Sequence, residues 1–181
     1  LIARMEPENN IETILDGYVE GEYENRPFLV IGNTGNDFGR YLVKKYDNNE
    51  NIRFLGAIYN MDILNDLRHY ARLYFHGHTV GGTNPSLLEA MACESLICAH
   101  DNVFNREVLD ENAYFFSNHH HISSLLSDFR EDREHHRNMV EKNREKITSL
   151  YNWNRVVQMY EEHFKHILGK PTATKKQHRK T

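Results

Sequence analysis

His76-Gly-His-Thr-Val-Gly-Gly-Thr-Asn-Pro-Ser-Leu-Leu-Glu-Ala-Met-Ala92 decides how this chain is read. The apolar run before it, Leu73 to Phe75, has the length and composition of a buried strand. Gly81 and Gly82 make the connection after it glycine-rich. Pro85 then opens a helical pattern through Leu87, Leu88, Met91 and Ala92, and Asn84 stands at the N-cap position. Strand, flexible loop and capped helix together aim backbone N–H groups and the positive end of a helix dipole into the loop, a setting that suits phosphate. Glu89 lies one turn inside the helix, where a carboxylate can accept hydrogen bonds from ribose hydroxyls.

The segment Gly81 to Ala92 resembles the donor-site signature of the retaining glycosyltransferases of family 4, enzymes with two Rossmann-like halves known as the GT-B fold. The resemblance runs over roughly Leu1 to Leu168. In that family two glutamates separated by seven residues mark the site. Glu89 matches the second, whose implied role is to hold the ribose of the nucleotide. Gly81 stands where the first, which touches the transferred sugar, belongs. The form His78-Thr-Val-Gly-Gly-Thr-Asn-Pro-Ser-Leu-Leu-Glu89 is similar to a rhamnosyltransferase-like subgroup of bacterial surface-polysaccharide pathways. The missing carboxylate implies a different sugar, such as a deoxy one, or a loss of catalysis.

Outward from this stretch, strands alternate with helices. Ends or runs of strand are expected at Leu1 to Ala3, Phe28 to Ile31, Ile52 to Leu55, Leu73 to Phe75, Leu96 to Ala99 and Ala113 to Phe116. Amphipathic helices are expected between them, the first beginning on Asn9 or Asn10. The alternation predicts an α/β fold: a Rossmann-like parallel sheet of about six strands with helices on both faces, followed by C-terminal helices. Ligands of such sheets bind at the carboxyl ends of the strands. From His121 onward the chain turns helical, ending in an amphipathic pattern from Trp153 to Ile167. We expect residues 1–168 to form one nucleotide-sugar binding domain and 169–181 a disordered tail. The start at Leu1-Ile-Ala-Arg, inside a strand and without an initiator methionine, leads us to expect an N-terminal acceptor domain outside this chain.

Composition narrows the function classes. An apolar content of 39% supports a real core, and a net charge of -4 gives no case for nucleic acid. No apolar run approaches the roughly 20 residues needed to span a bilayer. Cys93 and Cys98 lack the spacing of a zinc site and read as reduced core residues. We expect a cytoplasmic location, with at most peripheral association at the inner face of the membrane.

The candidate site residues fall in two of the strand-end loops. Arg4 follows the first strand. The family has a strand-end arginine there, with a lysine five residues on, gripping the donor diphosphate; Arg4 matches the arginine and Asn9 occupies the lysine place. A guanidinium suits a diphosphate because it donates several hydrogen bonds in a fixed fork. The alternative for Arg4 is a surface ion pair with Glu6 or Glu8, and for Glu89 a salt bridge. Gly81, Gly82, Thr83 and Asn84 can bring backbone close to a phosphate, and His78 lies next to that loop. Gly56-Ala-Ile-Tyr59 matches the family's base-contacting loop, through Ile58 or Tyr59. His76 and His78 share one face, and His119, His120 and His121 read as a loop; neither group has the ligand spacing of a metal site, so no metal is expected. The chain has no Asp-x-Asp, so diphosphate charge would fall to Arg4, amides and the helix dipole.

The expected function is the donor-binding half of a metal-independent glycosyltransferase. Its substrate would be a nucleotide-diphosphate sugar, and a saccharide or lipid-linked saccharide acceptor would be held by the other half, so that this half alone transfers nothing. The rivals are a nucleotide-sugar epimerase or phosphorylase on the same fold, and a non-catalytic nucleotide-binding or interaction module.

Overall fold

A computed structural model describes residues 1–21, 26–129 and 132–169. They fall into two compact units, divided between Arg144 and Glu145. In the first unit, five short strands form two parallel ladders. β1 (Phe28–Ile31) pairs with β2 (Ile52–Gly56). β3 (Tyr74–His76), β4 (Ile97–His100) and β5 (Tyr114–Phe116) form the other ladder in that order. The strand expected at Leu1 to Ala3 is reduced to a single parallel bridge, Ile2 to Ile31. It is flanked by bonds from Ala3 N to Ile31 O (3.0 Å) and from Ile31 N to Leu1 O (2.9 Å). The expected single sheet of about six strands is therefore five strands and a bridge, in two ladders.

One core serves both ladders. Val30 from the first and Phe75, Cys98 and Phe116 from the second share a cluster with Ile14, Leu15 and Ile122. The rings of Phe28 and Phe75 meet across the gap at 5.3 Å between centroids. Each such fully buried side chain contributes about 1.5–3 kcal/mol.

The helices follow the sequence pattern closely. They are α1 (Ile11–Glu20), α2 (Asp37–Lys45), α3 (Met61–His69), α4 (Pro85–Ala92), α5 (Val103–Leu109), α6 (His119–Ser127), α7 (Arg133–Leu150) and α8 (Trp153–Ile167). Six of them, α2 to α6 and α8, begin on an asparagine whose side chain accepts from a first-turn amide. Each such cap is worth about 1 kcal/mol, so helix starts are fixed locally rather than by packing alone. The His119 to His121 run, expected in a loop, is the first turn of α6, because Asn118 caps it through His121 N. In the first unit, α7 buries Met139 and Asn143, and Asn143 Nδ2 donates to Asn112 O at 2.8 Å. In the second unit, α8 carries Val156, Val157, Tyr160, Phe164 and Ile167 at the expected spacing. The expected tail lies, Gly169 apart, outside the described residues. No helix among the described residues is long and apolar enough to cross a membrane.

Candidate functional site

The segment from Ala3 to Asn10 crosses the carboxyl ends of β1 and β3 and is fixed at both. A Cβ on Gly32 would lie 2.1 Å from Ala3 O, and one on Gly77 would lie 2.0 Å from Asn9 O. Only glycine permits either approach. Polar bonds complete the clamp. Asn10 Nδ2 donates to Gly77 O (2.7 Å), and Thr79 N and Oγ1 both donate to Glu8 O (3.1 and 2.9 Å). Asn36 caps α2 through Gly39 N and donates from Nδ2 to Met5 O at 2.7 Å, tying the segment to a third element.

Beside this segment opens a hollow of about 550 Å³, a size that admits a small-molecule ligand. Arg4 and Glu6 line it from the clamped segment, Asn33 and Asn36 from the β1–α2 loop, Ile58 and Tyr59 from the loop after β2, Arg68 from α3, and Ser86 and Glu89 from α4. Arg4 and Glu89, far apart in sequence, thus share one hollow. Arg4 is exposed, and among the described residues no ion pair engages it; the alternative pairing with Glu6 or Glu8 does not form. Tyr59 is 86% exposed and Ile58 half-buried, both in reach of a ligand in the hollow.

Glu89 has a partner the sequence did not reveal. Arg68, its side chain only 2% exposed, donates from Nη2 to Glu89 Oε2 and from Nη1 to Asn65 Oδ1 (3.1 Å), while its Nε has no partner. The Glu89 side chain is 42% exposed, and among the described residues Oε1 accepts nothing. Arg68 sits among Leu64 and Leu67 on an amphipathic helix, where an arginine reads as a surface residue; its burial comes from the packing of α3 on α4, which local periodicity does not carry. Next to the pair, burial pushes the Tyr74 hydroxyl up, and Tyr74 meets Ser86 Oγ at 3.2 Å.

Other candidates stand outside the hollow. Asn9, 4% exposed, donates from Nδ2 to Arg4 O (2.8 Å) and bonds through Oδ1 to a ring nitrogen of His78. Both ends of its amide hold the loop, so it is a support under Arg4 rather than a residue of the lining. His78 is likewise engaged, its carbonyl accepting from Asn102 and Asn105. His76 is buried, its Nε2 without a partner, and burial pushes it down to about 3.

Gly81, Gly82 and Thr83 form an exposed loop at the mouth of α4. Their amides make no hydrogen bond among the described residues, and a Cβ on either glycine would meet nothing within 4 Å. The first turn of α4 differs from expectation. Pro85 has no N–H, Asn84 Oδ1 takes Ser86 N (2.9 Å), and Asn84 O takes Leu87 N (3.1 Å). The free amides belong to the loop, and the helix offers only its dipole.

Cys98 is buried, which pushes its thiol up, whereas Cys93 is half-buried, with Sγ 3.4 Å from Asn65 Oδ1. A second cavity, of about 540 Å³, lies at the amino ends of the strands. Its walls are mainly apolar, with Phe28, Leu73, Phe75 and Phe129 among them, and it contains none of the candidate residues.

Against this geometry stand the comparisons with known proteins. Residues 1–146 match the family described as glycosyl transferases group 1. No curated protein sequence matches significantly. Among solved structures, Anabaena Alr3699/HepE in complex with UDP-glucose is similar to this chain with a TM-score of 0.78 at 14% identity, over 91% of this chain and 47% of that one. A glycosyltransferase from Rickettsia africae is similar with a TM-score of 0.76 at 13% identity, over 94% of this chain and 48% of that one. The C-terminal domain of the Francisella tularensis group 1 protein LpcC has a TM-score of 0.65 at 18% identity, over 84% of this chain and 85% of that one. The chain therefore spans about half the length of the larger structures it resembles and most of an isolated C-terminal domain.

Proposed function

The chain belongs to the glycosyl transferases group 1 family, and from that premise we propose that it is the donor-binding half of a glycosyltransferase. The observation that carries this is the hollow shared by Arg4 and Glu89 at the carboxyl ends of the strands. The ligand is a nucleotide-diphosphate sugar, the ligand class of the UDP-glucose complex of Alr3699/HepE. Arg4 takes the diphosphate, its guanidinium fork free of any competing carboxylate. The unpaired amides of Gly81, Gly82 and Thr83 offer further donors to phosphate or sugar oxygens. Glu89 accepts from the ribose hydroxyls through Oε1 while Arg68 fixes Oε2, since an ionised carboxylate has acceptor capacity on both oxygens. Ile58 and Tyr59 flank the base.

The chemistry is electrostatic. As the bond from sugar to diphosphate breaks, negative charge grows on the leaving diphosphate, and Arg4 and the loop amides stabilise it there. The transferred sugar is a deoxy one such as rhamnose, consistent with Gly81 offering no carboxylate. The acceptor is a saccharide of a surface polysaccharide, held by another domain at the inner face of the membrane. Asn9 and Gly81, neither of which supplies charge, favour a second reading, a nucleotide-binding module without catalysis.

Calorimetric titration with UDP, dTDP and GDP tests the proposal. Heat with one nucleotide, together with an intact donor when no acceptor is present, is expected. No heat with any nucleotide overturns the proposal, and conversion of the donor alone points to an epimerase or phosphorylase.

A further inference from the structure

Away from the hollow, Glu20, His119 and His120 come together at one point of the surface. Glu20 is the last residue of α1, and the histidines are the first two of α6. One ligand atom of each lies within 4.8 Å of the others, the one place among the described residues where three such side chains converge. His120 Nδ1 is 2.8 Å from Glu20 Oε1, and His119 Nε2 is 3.8 Å from Glu20 Oε2. We infer that these three side chains form a site for a divalent ion of the zinc type, which clasps the end of α1 to the start of α6.

The distances fit such an ion. Imidazole and carboxylate ligands sit at 2.0–2.2 Å from tetrahedral zinc, so neighbouring ligand atoms lie roughly 3.3 Å apart. With Glu20 Oε2 as the ligand atom, His120 Nδ1 lies 3.2 Å and His119 Nε2 3.8 Å from it, close to that value. An ion entering between the three groups leaves the His120 contact as it is and draws the His119 nitrogen in by about half an ångström, within the reach of a partly exposed side chain. Two imidazoles and a carboxylate leave one position to water, the ligand set of an open zinc site. Imidazole ligands also select against magnesium and calcium, which take oxygen.

The helices under the site are closely packed. A Cβ on Gly17 would lie 2.6 Å from both His119 O and Ile122 Cβ, so glycine lets α6 settle directly on α1. A Cβ on Gly21 would lie 3.2 Å from Ser123 Cα and O, a tight but lesser contact, and Ser127 Oγ donates to Gly21 O at 3.4 Å. This packing sets the two backbones, and with them the Cα positions from which the ligands reach. The helix dipoles do not decide the matter. The negative end of α1 favours a cation and the positive start of α6 opposes it, with similar size and opposite sign. The sequence hid the site because Glu20 and His120 are 100 residues apart. A chain-local search for ligand spacing sees only the histidine run.

Calorimetric titration of zinc into the whole chain at neutral pH tests the inference. The wild-type chain is expected to take one ion, and zinc to raise its unfolding temperature by mass action. Glu20→Gln and His120→Ala, both at partly exposed side chains where the effect on the fold is expected to be small, are each expected to weaken binding at least about tenfold and to remove the thermal shift. Magnesium is expected to give no heat. The chain has 12 histidines, so zinc binding that survives both substitutions unchanged belongs elsewhere and overturns the site, as does the absence of zinc binding in the wild-type chain. Neither outcome depends on whether the hollow takes a nucleotide.

Discussion

Arg68 donates from Nη2 to Glu89 Oε2 at the wall of the hollow, a buried guanidinium joined to a half-exposed carboxylate. This pair sets both the stability of the α3–α4 wall and the direction in which Glu89 presents its free oxygen. Removing one partner strands the other. Glu89→Met leaves a buried cation with Asn65 as its side-chain acceptor, and is expected to destabilise the fold by about 2 kcal/mol, less than the roughly 3–5 kcal/mol for a fully buried pair because solvent reaches the carboxylate. Arg68→Met is expected to cost about as much. The double substitution is expected to cost clearly less than the two together, since it buries no orphaned charge. Urea denaturation of the four proteins in the cycle gives the coupling; strictly additive costs would show that the ion pair carries none.

His76 contributes to the acid limb of stability. Burial pushes it down to about 3, below the 6.5 of a free histidine. Above pH 6.5 both folded and unfolded states hold it neutral, and it adds no slope. Between 6.5 and about 3 the unfolded chain takes a proton that the folded chain refuses. Stability therefore falls as pH drops through that window, by up to about 1.4 kcal/mol per pH unit. Burial lowers His100 as well, in the same sense. Arg106 holds Asp101 and Lys45 holds Glu12 below the usual carboxylate range, so their losses come at more acid pH. Denaturation between pH 6.5 and 5 should show the slope, and His76→Phe should lessen it, the remainder in that window coming from His100 and from the buried Leu1 amine, pushed down to about 5; an unchanged slope would remove His76 as a source.

The two glycines that clamp the Arg4 segment make a sharp contrast with the loop glycine. Gly32→Ala and Gly77→Ala each drive a Cβ into a backbone carbonyl oxygen and are expected to cost about 1–3 kcal/mol or more. Gly82→Ala meets open space and is expected to stay within about 0.5 kcal/mol of the parent. Thermal unfolding of the three variants checks the order; equal melting temperatures would mean the segment is not held as described.

The order of strands and helices was legible because hydrophobic periodicity is local. Ile14 with Leu15 and Leu87 with Met91 mark their buried faces without help from the rest of the chain. Arg4 and Glu89 were legible as candidates through the motif around them, and both line one hollow. Three features were not. Leu1 to Ala3 reads as a strand, yet pairing depends on a partner in register, and only Ile2 is bridged to β1. Asn9 looks like a failed lysine, but its place is set by the His78 ring and the Arg4 carbonyl that it joins. Arg68 looks like a helix surface, and its burial arises when α3 meets α4. Each depends on a contact between elements distant in sequence, which composition and spacing do not encode.

Arg4 is the residue on which donor affinity should turn. Arg4→Ala is expected to weaken nucleotide-diphosphate binding about 10- to 100-fold, the loss of charge-assisted hydrogen bonds worth roughly 1.5–3 kcal/mol. Arg4→Lys should recover part of it, since an ammonium keeps the charge and loses the fork. A nucleoside monophosphate should feel the substitution less. Calorimetry across these ligands checks the ranking, and equal losses for mono- and diphosphate would move Arg4 away from the diphosphate.

A crystal structure of the chain soaked with UDP, or with whichever nucleotide diphosphate binds best, bears most directly on the whole account. The diphosphate is expected within hydrogen-bond distance of the Arg4 guanidinium, and the ribose hydroxyls on Glu89 Oε1, with Arg68 still on Oε2. A nucleotide seated elsewhere, for instance in the apolar cavity beside Leu73 and Phe129, or one that leaves both Arg4 and Glu89 untouched, would contradict it.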